Sequence, residues 1–318
     1  MSLPLTSSSA APTVAAQVAA AVVGRERETE LLEAALAAGA DVVLEGPPGT
    51  GKSTLLRAVA TARSTTFVLV EGNAELTPAR VVGQFDPAQV LEKGYCAEIF
   101  VDGPLLVAMR TGGLFYVEEL NRVPEETLNT LLAVMSEREI VVPRLGTVTA
   151  EPGFAVVAAM NPYDAVGTAR VSGAVYDRTC RIAMDYQSAE AEAQIVLTRA
   201  TAPALPRAWA DRVVDLVRRT RSHVDLRVGS SVRGAIDLGG LAHHLAAARG
   251  RAVDDWHVGL DAALVALSGR VRIDDGAGRR AEEIIEELYR DVFGAPPSND
   301  DGDGDGDSGE EDRSPGER

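Results

Sequence analysis

A short glycine-rich segment carries the residue types that bind a phosphate chain. Its pattern Gly-x-x-x-x-Gly-Lys-Ser is formed within Gly46, Pro47, Pro48, Gly49, Thr50, Gly51, Lys52, Ser53 and Thr54. Glycines let successive backbone N–H groups point at one anion, and the start of a helix adds partial positive charge. In this pattern the lysine neutralises phosphate charge and the serine hydroxyl ligates Mg²⁺. The segment therefore predicts that ATP and Mg²⁺ bind here.

The elements around the glycine-rich segment have the order that this chemistry requires. An amphipathic helix is predicted over 26–38, and an apolar strand over 41–45 leads directly into the glycines. A helix over 55–62 follows, and a second strand is predicted over 66–70. Because strand, glycine loop and helix are the context that confirms the motif, a glycine turn that matches by chance is the weaker interpretation.

A second apolar segment ends in two carboxylates. Four apolar residues, 114–117, precede Glu118 and Glu119. A parallel strand brings such acids to the sheet edge where ligands of open α/β sheets bind. We expect Glu118 to hold Mg²⁺ through water and Glu119 to orient and deprotonate the attacking water. A solvated strand end that merely carries two acids is the alternative, which the complete glycine motif disfavours.

A third apolar segment, 154–160, ends on a polar amide. Asn161 can lie between the two acids and the γ-phosphate, where its amide donates and accepts hydrogen bonds. This position makes Asn161 a sensor candidate. Because Pro162 follows, Asn161 is also an ordinary turn residue, and for the residue in isolation that interpretation is favoured.

The order of these parts resembles the AAA+ superfamily and, within it, most closely the MoxR group. The resemblance extends from residue 22 to about 293 and is carried by the run 118–122, Glu-Glu-Leu-Asn-Arg, together with Asn161-Pro162. The group normally has Asp where Glu118 stands. Glutamate keeps the charge but adds a methylene, so ATP binding is a firmer expectation than fast hydrolysis.

The resemblance also implies roles for three arginines. Arg178 matches the arginine finger that reaches the γ-phosphate of a neighbouring subunit, with Arg181 as the alternative. Arg233 matches the sensor-2 residue that contacts phosphate from the lid of its own subunit. An arginine finger stabilises transition-state charge, so it would couple hydrolysis to assembly. An ordinary surface charge is the alternative for each arginine.

The predicted fold class is α/β, a P-loop NTPase of AAA+ type with a parallel sheet flanked by helices and followed by a small all-helical lid domain. The expected divisions are a flexible leader (1–21), a nucleotide-binding domain (22–186), the lid (187–295) and a disordered acidic tail (296–318). The lid follows from helical spacing of apolar residues. The Asp-Gly-rich tail cannot bury apolar area.

Composition limits where the protein works and what it binds. A formal net charge of −16 repels a phosphate backbone, which disfavours a nucleic-acid partner. No segment approaches the roughly 18 apolar residues of a membrane span. Cys96 and Cys180 are too few and too far apart for a disulfide framework, and we expect a cytoplasmic location.

The leading functional hypothesis is an ATPase that couples hydrolysis to remodelling or maturation of a partner complex, as a MoxR-like chaperone. The resemblance implies a homo-oligomeric ring, a hexamer, and a von Willebrand factor A-domain partner. A β-hairpin predicted over 139–149 and the insert 71–103 are expected to meet the client protein. The alternatives are a nucleotide-dependent binding switch with little turnover and, less favoured, a DNA-directed motor.

Overall fold

The computed structural model describes residues 13–162, 173–200 and 205–297. Two compact units are present, the first within 1–200 together with 231–236, the second within 201–230 and 237–318. The predicted boundary after residue 186 stays a prediction, although the first unit extends to Ala200. The predicted acidic tail lies outside the described residues from 298 onward.

The described residues of the first unit form nine strands, and five of them make one parallel sheet. In chain order the strands are β1 (Asp41–Glu45), β2 (Phe67–Glu71), β3 (Gly83–Phe85), β4 (Phe100–Asp102), β5 (Leu114–Glu118), β6 (Glu139–Val142), β7 (Gly146–Thr149), β8 (Ala155–Met160) and β9 (Thr179–Ala183). The large sheet has the order β2-β5-β8-β1-β9, with every pairing parallel. The predicted α/β class is confirmed.

Helices cover both faces of this sheet. In chain order the helices of the described part of this unit are α1 (Val14–Ala21), α2 (Glu26–Ala37), α3 (Lys52–Ala62), α4 (Pro78–Val82), α5 (Pro87–Lys93), α6 (Pro104–Thr111), α7 (Glu125–Glu137), α8 (Gly173–Arg178) and α9 (Ala189–Arg199), of which α5 buries no residue. Successive strand residues point to opposite faces, so β5 buries Phe115 and Val117 in one cluster and Tyr116 in the other. The sheet therefore separates two apolar cores.

Two boundaries predicted from the sequence differ in the structure. Helix α3 begins at Lys52 rather than at 55, because Gly51 takes the left-handed N-cap conformation and the helix starts directly after it. The predicted leader is corrected at its C-terminal end, since 14–21 form α1. The Thr13 hydroxyl caps this helix by accepting from Ala16 N–H at 3.3 Å, and Val18 is buried against the core. Residues 1–12 lie outside the described part.

Two small antiparallel pairs of strands lie outside the large sheet. Strands β6 and β7 pair as the predicted hairpin, with Glu139 opposite Thr149. The insert 71–103 contains α4 and α5, each begun by a side-chain cap and a proline, and the short pair of β3 and β4. Asp86 caps α5 by accepting from Ala88 N–H at 2.9 Å. Polar caps and prolines thus define the insert more than apolar periodicity does.

The second unit is mainly helical. It comprises α10 (Arg207–Thr220), β10 (Leu226–Val228), most of α11 (Val232–Arg249), α12 (Trp256–Leu267), β11 (Arg272–Ile273) and α13 (Ala281–Phe293). Tyr289 of α13 is buried and donates its hydroxyl to the Trp256 carbonyl at 3.0 Å. The predicted C-terminal helical region is confirmed. In the described parts of the chain, no helix has the length and hydropathy of a bilayer span.

A buried carboxylate paired with a partly exposed arginine fixes the start of β1. Asp41 is 2% exposed, and its carboxylate accepts both guanidinium nitrogens of Arg138 at 3.1 and 3.0 Å and the Val156 N–H at 2.7 Å. Burial raises the pKa of Asp41, while Val156 and Arg138 oppose this rise. Arg138 also caps the end of α7, so one residue joins a helix end to two strands.

Replacing this arginine tests the buried pair. We expect Arg138→Met to lower the free energy of unfolding by about 3 kcal/mol at neutral pH, because a buried carboxylate loses its charged partner. Without Arg138 the pKa of Asp41 rises further, and a carboxyl whose pKa is higher folded than unfolded loses stability as pH rises. The difference in the free energy of unfolding between the wild type and Arg138→Met should therefore decrease toward pH 4, which urea titrations at several pH values measure.

A matched control comes from an exposed pair, Arg80 and Glu75, at 3.4 Å. Arg80→Met should change the free energy of unfolding by less than about 0.5 kcal/mol. Equal losses in the two variants, or a deficit that does not change with pH, would contradict the role given to Asp41.

Candidate nucleotide-binding site

The glycine-rich loop begins where β1 leaves the centre of the sheet. All five residues of β1 are buried, and Gly46 N–H continues the ladder to the Met160 carbonyl at 3.2 Å. Gly49 and Gly51 then take left-handed conformations, with φ of 76° and 85°, which other residues rarely adopt. Since α3 starts directly after Gly51 without a side-chain cap, its first N–H groups face the loop. This arrangement fits an anion.

Lys52 lies folded into the loop. Its ammonium donates to the carbonyls of Gly46 and Pro47 at 2.9 and 2.8 Å. Burial lowers the pKa of Lys52 to about 8, with Glu118 opposing the shift and Arg25 adding to it. The ammonium thus lies beside the loop amides, where phosphate oxygens can replace the carbonyls as its partners.

The serine of the motif and the first acid of β5 lie side by side. Ser53 Oγ donates to Glu118 Oε1 at 2.7 Å, and the Tyr116 hydroxyl lies 3.2 Å from Ser53 Oγ. Burial raises the pKa of Tyr116, so it stays protonated. A hydroxyl and a carboxylate are the hard oxygen ligands that Mg²⁺ accepts together with water and phosphate. Among the described residues, no group of three or more His, Cys, Asp or Glu offers an all-protein metal site.

The second acid occupies a turn of its own. Glu119 has a φ of 55°, a left-handed conformation that costs about 1 kcal/mol in a residue other than glycine. Its carboxylate pairs with Arg122 at 3.0 Å, and the two side chains are 40% and 44% exposed. In this conformation the predicted base therefore has a cationic partner three residues away.

A glycine that the sequence analysis missed holds this turn in place. Gly72 N–H donates to the Glu118 carbonyl at 2.7 Å. A Cβ on Gly72 would lie 2.4 Å from the Glu119 carbonyl oxygen, so no larger residue fits without moving the turn. The signal available in the sequence was a glycine directly after the second strand.

A cavity of about 630 Å³ adjoins the loop within the first unit. Its phosphate-loop side is formed by Gly49, Gly51 and Thr54, and Arg233 also lines it. The start of α11 is close, since a Cβ on Gly49 would lie 2.3 Å from Ser231 Oγ. Its other lining residues include Val22, Val23, Ile195, Val232 and Ile236. An apolar wall next to phosphate-binding amides suits a nucleotide base.

The remaining predicted residues fall at the same sheet edge or on the surface. Asn161 directly follows β8, which lies between β5 and β1. Arg181 of β9 forms an ion pair with the buried carboxylate of Glu45. Arg178 is exposed at the end of α8 and donates to Ser136 Oγ at 2.7 Å. The structure thus brings Lys52, Ser53 and Glu118 together, and the roles of the three arginines and of Asn161 stay predictions.

Comparisons with known proteins agree with this geometry. Residues 41–179 match the AAA domain (dynein-related subfamily). An uncharacterized protein of Staphylococcus haemolyticus is 34% identical over 148 residues, 46% of this chain and 56% of that protein. Gas vesicle ATPase GvpN2 of Halobacterium salinarum is 28% identical over 220 residues, 64% of this chain and 63% of that protein. The chain thus spans little more than half the length of these relatives.

A solved structure supports the fold. The RuvB Holliday junction branch migration motor of Thermotoga maritima is similar with a TM-score of 0.52 and 17% identity, over 76% of this chain and 70% of that one. Identity this low supports a shared fold and nothing further.

The loop lysine provides the direct test of the site. We expect Lys52→Ala to weaken ATP binding roughly 100-fold, because the charge that faces the phosphates is lost. Fluorescent-nucleotide titration measures this affinity. Lys93→Ala is the matched control, since Lys93 is exposed on α5 and bonded to Gln89. Unchanged affinity in Lys52→Ala would remove Lys52 from the site.

Proposed function

We propose that this chain, whose residues 41–179 match the AAA domain (dynein-related subfamily), is a MoxR-like AAA+ ATPase that hydrolyses ATP with Mg²⁺ in an oligomeric ring, a hexamer. The energy of hydrolysis is used to remodel or mature a partner protein complex in the cytoplasm. The observation that carries the proposal is the 2.7 Å contact of Ser53 with Glu118 beside the Lys52 loop. Phosphate charge, metal ligands and loop amides then meet at one sheet edge.

Each residue of the site has one task in this reaction. Lys52 would exchange its carbonyl partners for β- and γ-phosphate oxygens, and Ser53 and Glu118 would hold Mg²⁺. The metal would supply positive charge that offsets the charge of the phosphate oxygens. Glu119 accepts the proton of the attacking water, and Asn161 orients that water.

Arginines complete the site from two directions. We assign Arg178 as the finger supplied to a neighbouring subunit, because it is exposed at a helix end. Arg181 is the weaker candidate, because it is already paired with the buried Glu45. Arg233 contacts phosphate of its own subunit, which its place on the cavity wall supports.

The contact of Glu119 with Arg122 favours a second candidate function. At 3.0 Å the Arg122 guanidinium engages one oxygen of the proposed base, Oε2, and so competes with the attacking water for it. If nothing separates the pair, the protein binds ATP and hydrolyses it slowly, as a nucleotide-dependent switch. The DNA-directed alternative has less support, because the net charge of −16 repels a phosphate backbone.

Exposed apolar side chains support a protein client. Val141 on the β6–β7 hairpin is 70% exposed, and Leu91 on α5 is 90% exposed. The Arg144 guanidinium lies 3.8 Å from the ring centre of Tyr95, so the hairpin and the insert are in contact. We propose that these two segments meet the client. A von Willebrand factor A-domain partner is proposed on the resemblance alone.

The first measurement is steady-state ATP hydrolysis with Mg²⁺ over a series of protein concentrations. We expect the rate per subunit to rise with assembly, because the finger comes from a neighbour. Glu119→Gln should bind ATP like the wild type and lose at least about 100-fold in turnover, since an amide cannot accept the proton. Glu137→Gln, an exposed change on α7, is the control.

Two results would argue against the leading proposal. Turnover that persists in Glu119→Gln would move the base to another residue. Tight ATP binding with no turnover at any wild-type concentration would favour the switch.

Mixed assemblies test the finger. Arg178→Ala alone should lose hydrolysis by about 1,000-fold, the usual scale for an arginine finger. Adding Glu119→Gln subunits, which are inactive but keep Arg178, should restore part of the activity of the Arg178→Ala sites. No restoration at any ratio, with assembly shown by light scattering, would exclude action of Arg178 across the interface.

A further inference from the structure

One arginine outside the glycine motif contacts the backbone of the glycine-rich loop. Arg25 begins α2 and is 3% exposed, so its charge is removed from water. One guanidinium nitrogen, Nη2, donates to the Thr50 carbonyl at 2.8 Å and to the Asp185 carbonyl at 2.6 Å. The other, Nη1, pairs with Glu28 at 2.7 Å. The buried charge is thus paired with a carboxylate, and its remaining printed hydrogen bonds go to two backbone carbonyls from different segments.

The planar peptide bond determines how the contact with Arg25 orients the loop. A peptide unit is planar and trans, so its carbonyl and the following N–H point in opposite directions. Holding the Thr50 carbonyl toward Arg25 therefore directs the Gly51 N–H away from Arg25, to the other side of the loop. Gly51 is the left-handed N-cap of α3, where a bound anion needs donors.

The second carbonyl ties the loop to the sheet. Asp185 follows Met184, whose N–H donates to the Glu45 carbonyl at 2.7 Å at the end of β1. The Asp185 carbonyl is thus fixed relative to β1, and Arg25 joins it to Thr50 across the base of the loop. Glycines on both sides of Thr50 leave the loop free to turn, so an outside restraint is needed.

A guanidinium is suited to this task, whereas lysine is not. The planar fork of arginine reaches two carbonyls and a carboxylate in one fixed geometry. A lysine ammonium on a flexible stem keeps the charge without the fork. The bond of Thr50 Oγ1 to the Pro47 carbonyl at 3.0 Å lies within the loop and cannot set its orientation to the sheet.

We infer that Arg25 is a positioning residue, which holds the Thr50–Gly51 peptide so that the loop amides face the phosphates of the nucleotide. The inference rests on the proposed nucleotide site and adds a residue that does not touch the ligand. Its expected signature is selective, because the phosphate part of the ligand loses affinity while the nucleoside part does not.

The test compares ligands that differ in phosphate. Binding of ADP and of adenosine is measured on the full chain by competition against a fluorescent ADP, for wild type, Arg25→Met, Arg25→Lys and Arg27→Met. Arg27 is the matched control, since it is exposed two residues away on α2. Arg25→Met should weaken ADP at least about tenfold and leave adenosine within about twofold, and Arg25→Lys should recover only part of the ADP loss.

Each outcome bears on either the positioning role of Arg25 or the proposed nucleotide site. Equal weakening of ADP and adenosine, or wild-type ADP affinity in Arg25→Met, overturns the positioning role. Full recovery in Arg25→Lys overturns it as well, because charge alone would then suffice. If thermal melts show that Arg25→Met does not fold, the selective loss in Arg25→Lys carries the test. A wild type that binds neither ligand contradicts the proposed nucleotide site instead.

Discussion

The site depends on one constraint, the burial of β1 on both faces in the middle of a parallel sheet. β1 lies between β8 and β9, and all of its residues are buried. A strand with this environment is apolar in its interior, Val42 to Leu44, and needs a charged partner for each terminal carboxylate, which Arg138 and Arg181 supply to Asp41 and Glu45. The strand leaves the sheet at its carboxyl end. The glycine-rich loop follows directly after this end of β1. Because β5 and β8 run parallel to β1, their ends deliver Glu118 and Asn161 to the same edge.

The groups of the site are paired within the protein in this conformation. Lys52 is bonded to loop carbonyls, Ser53 to Glu118, and Glu119 to Arg122. Such pairs remove the cost of leaving buried charges alone, and they must be exchanged when a nucleotide arrives. Arg25 differs, since its contacts lie beneath the loop and have no reason to break. The loop can therefore stay in shape while its ligand-facing groups change partners.

The sequence was sufficient wherever a local pattern sets the structure. The bounds of β1 and the 139–149 hairpin follow from apolar periodicity and turn residues. β9 was missed because it is an edge strand in which Ile182 is the one buried residue, which leaves no alternation to read. Helix α1 was missed because it is mostly alanine and its burial depends on one valine.

Contacts between a side chain and distant backbone were also out of reach. Arg25 meets Asp185 across 160 positions and bonds to a carbonyl, which every residue has. No pairing of residue types therefore marks it in the sequence. Gly72 is similar, because its importance comes from the Glu119 carbonyl packed against it. These features belong to the packing of segments, and only the folded chain displays them.

The longer acid of this site does not by itself favour a slow enzyme. Glu118 stands where the MoxR group, which the chain resembles, normally has aspartate, and the added methylene lengthens the side chain that carries the proposed metal-binding carboxylate. Its carboxylate nevertheless reaches Ser53 Oγ at 2.7 Å while its backbone is held by Gly72. The hydroxyl and carboxylate that Mg²⁺ needs are thus already adjacent. The choice between the proposed hydrolase and the proposed switch then depends on Glu119, the proposed base, which lies in a left-handed turn and contacts Arg122.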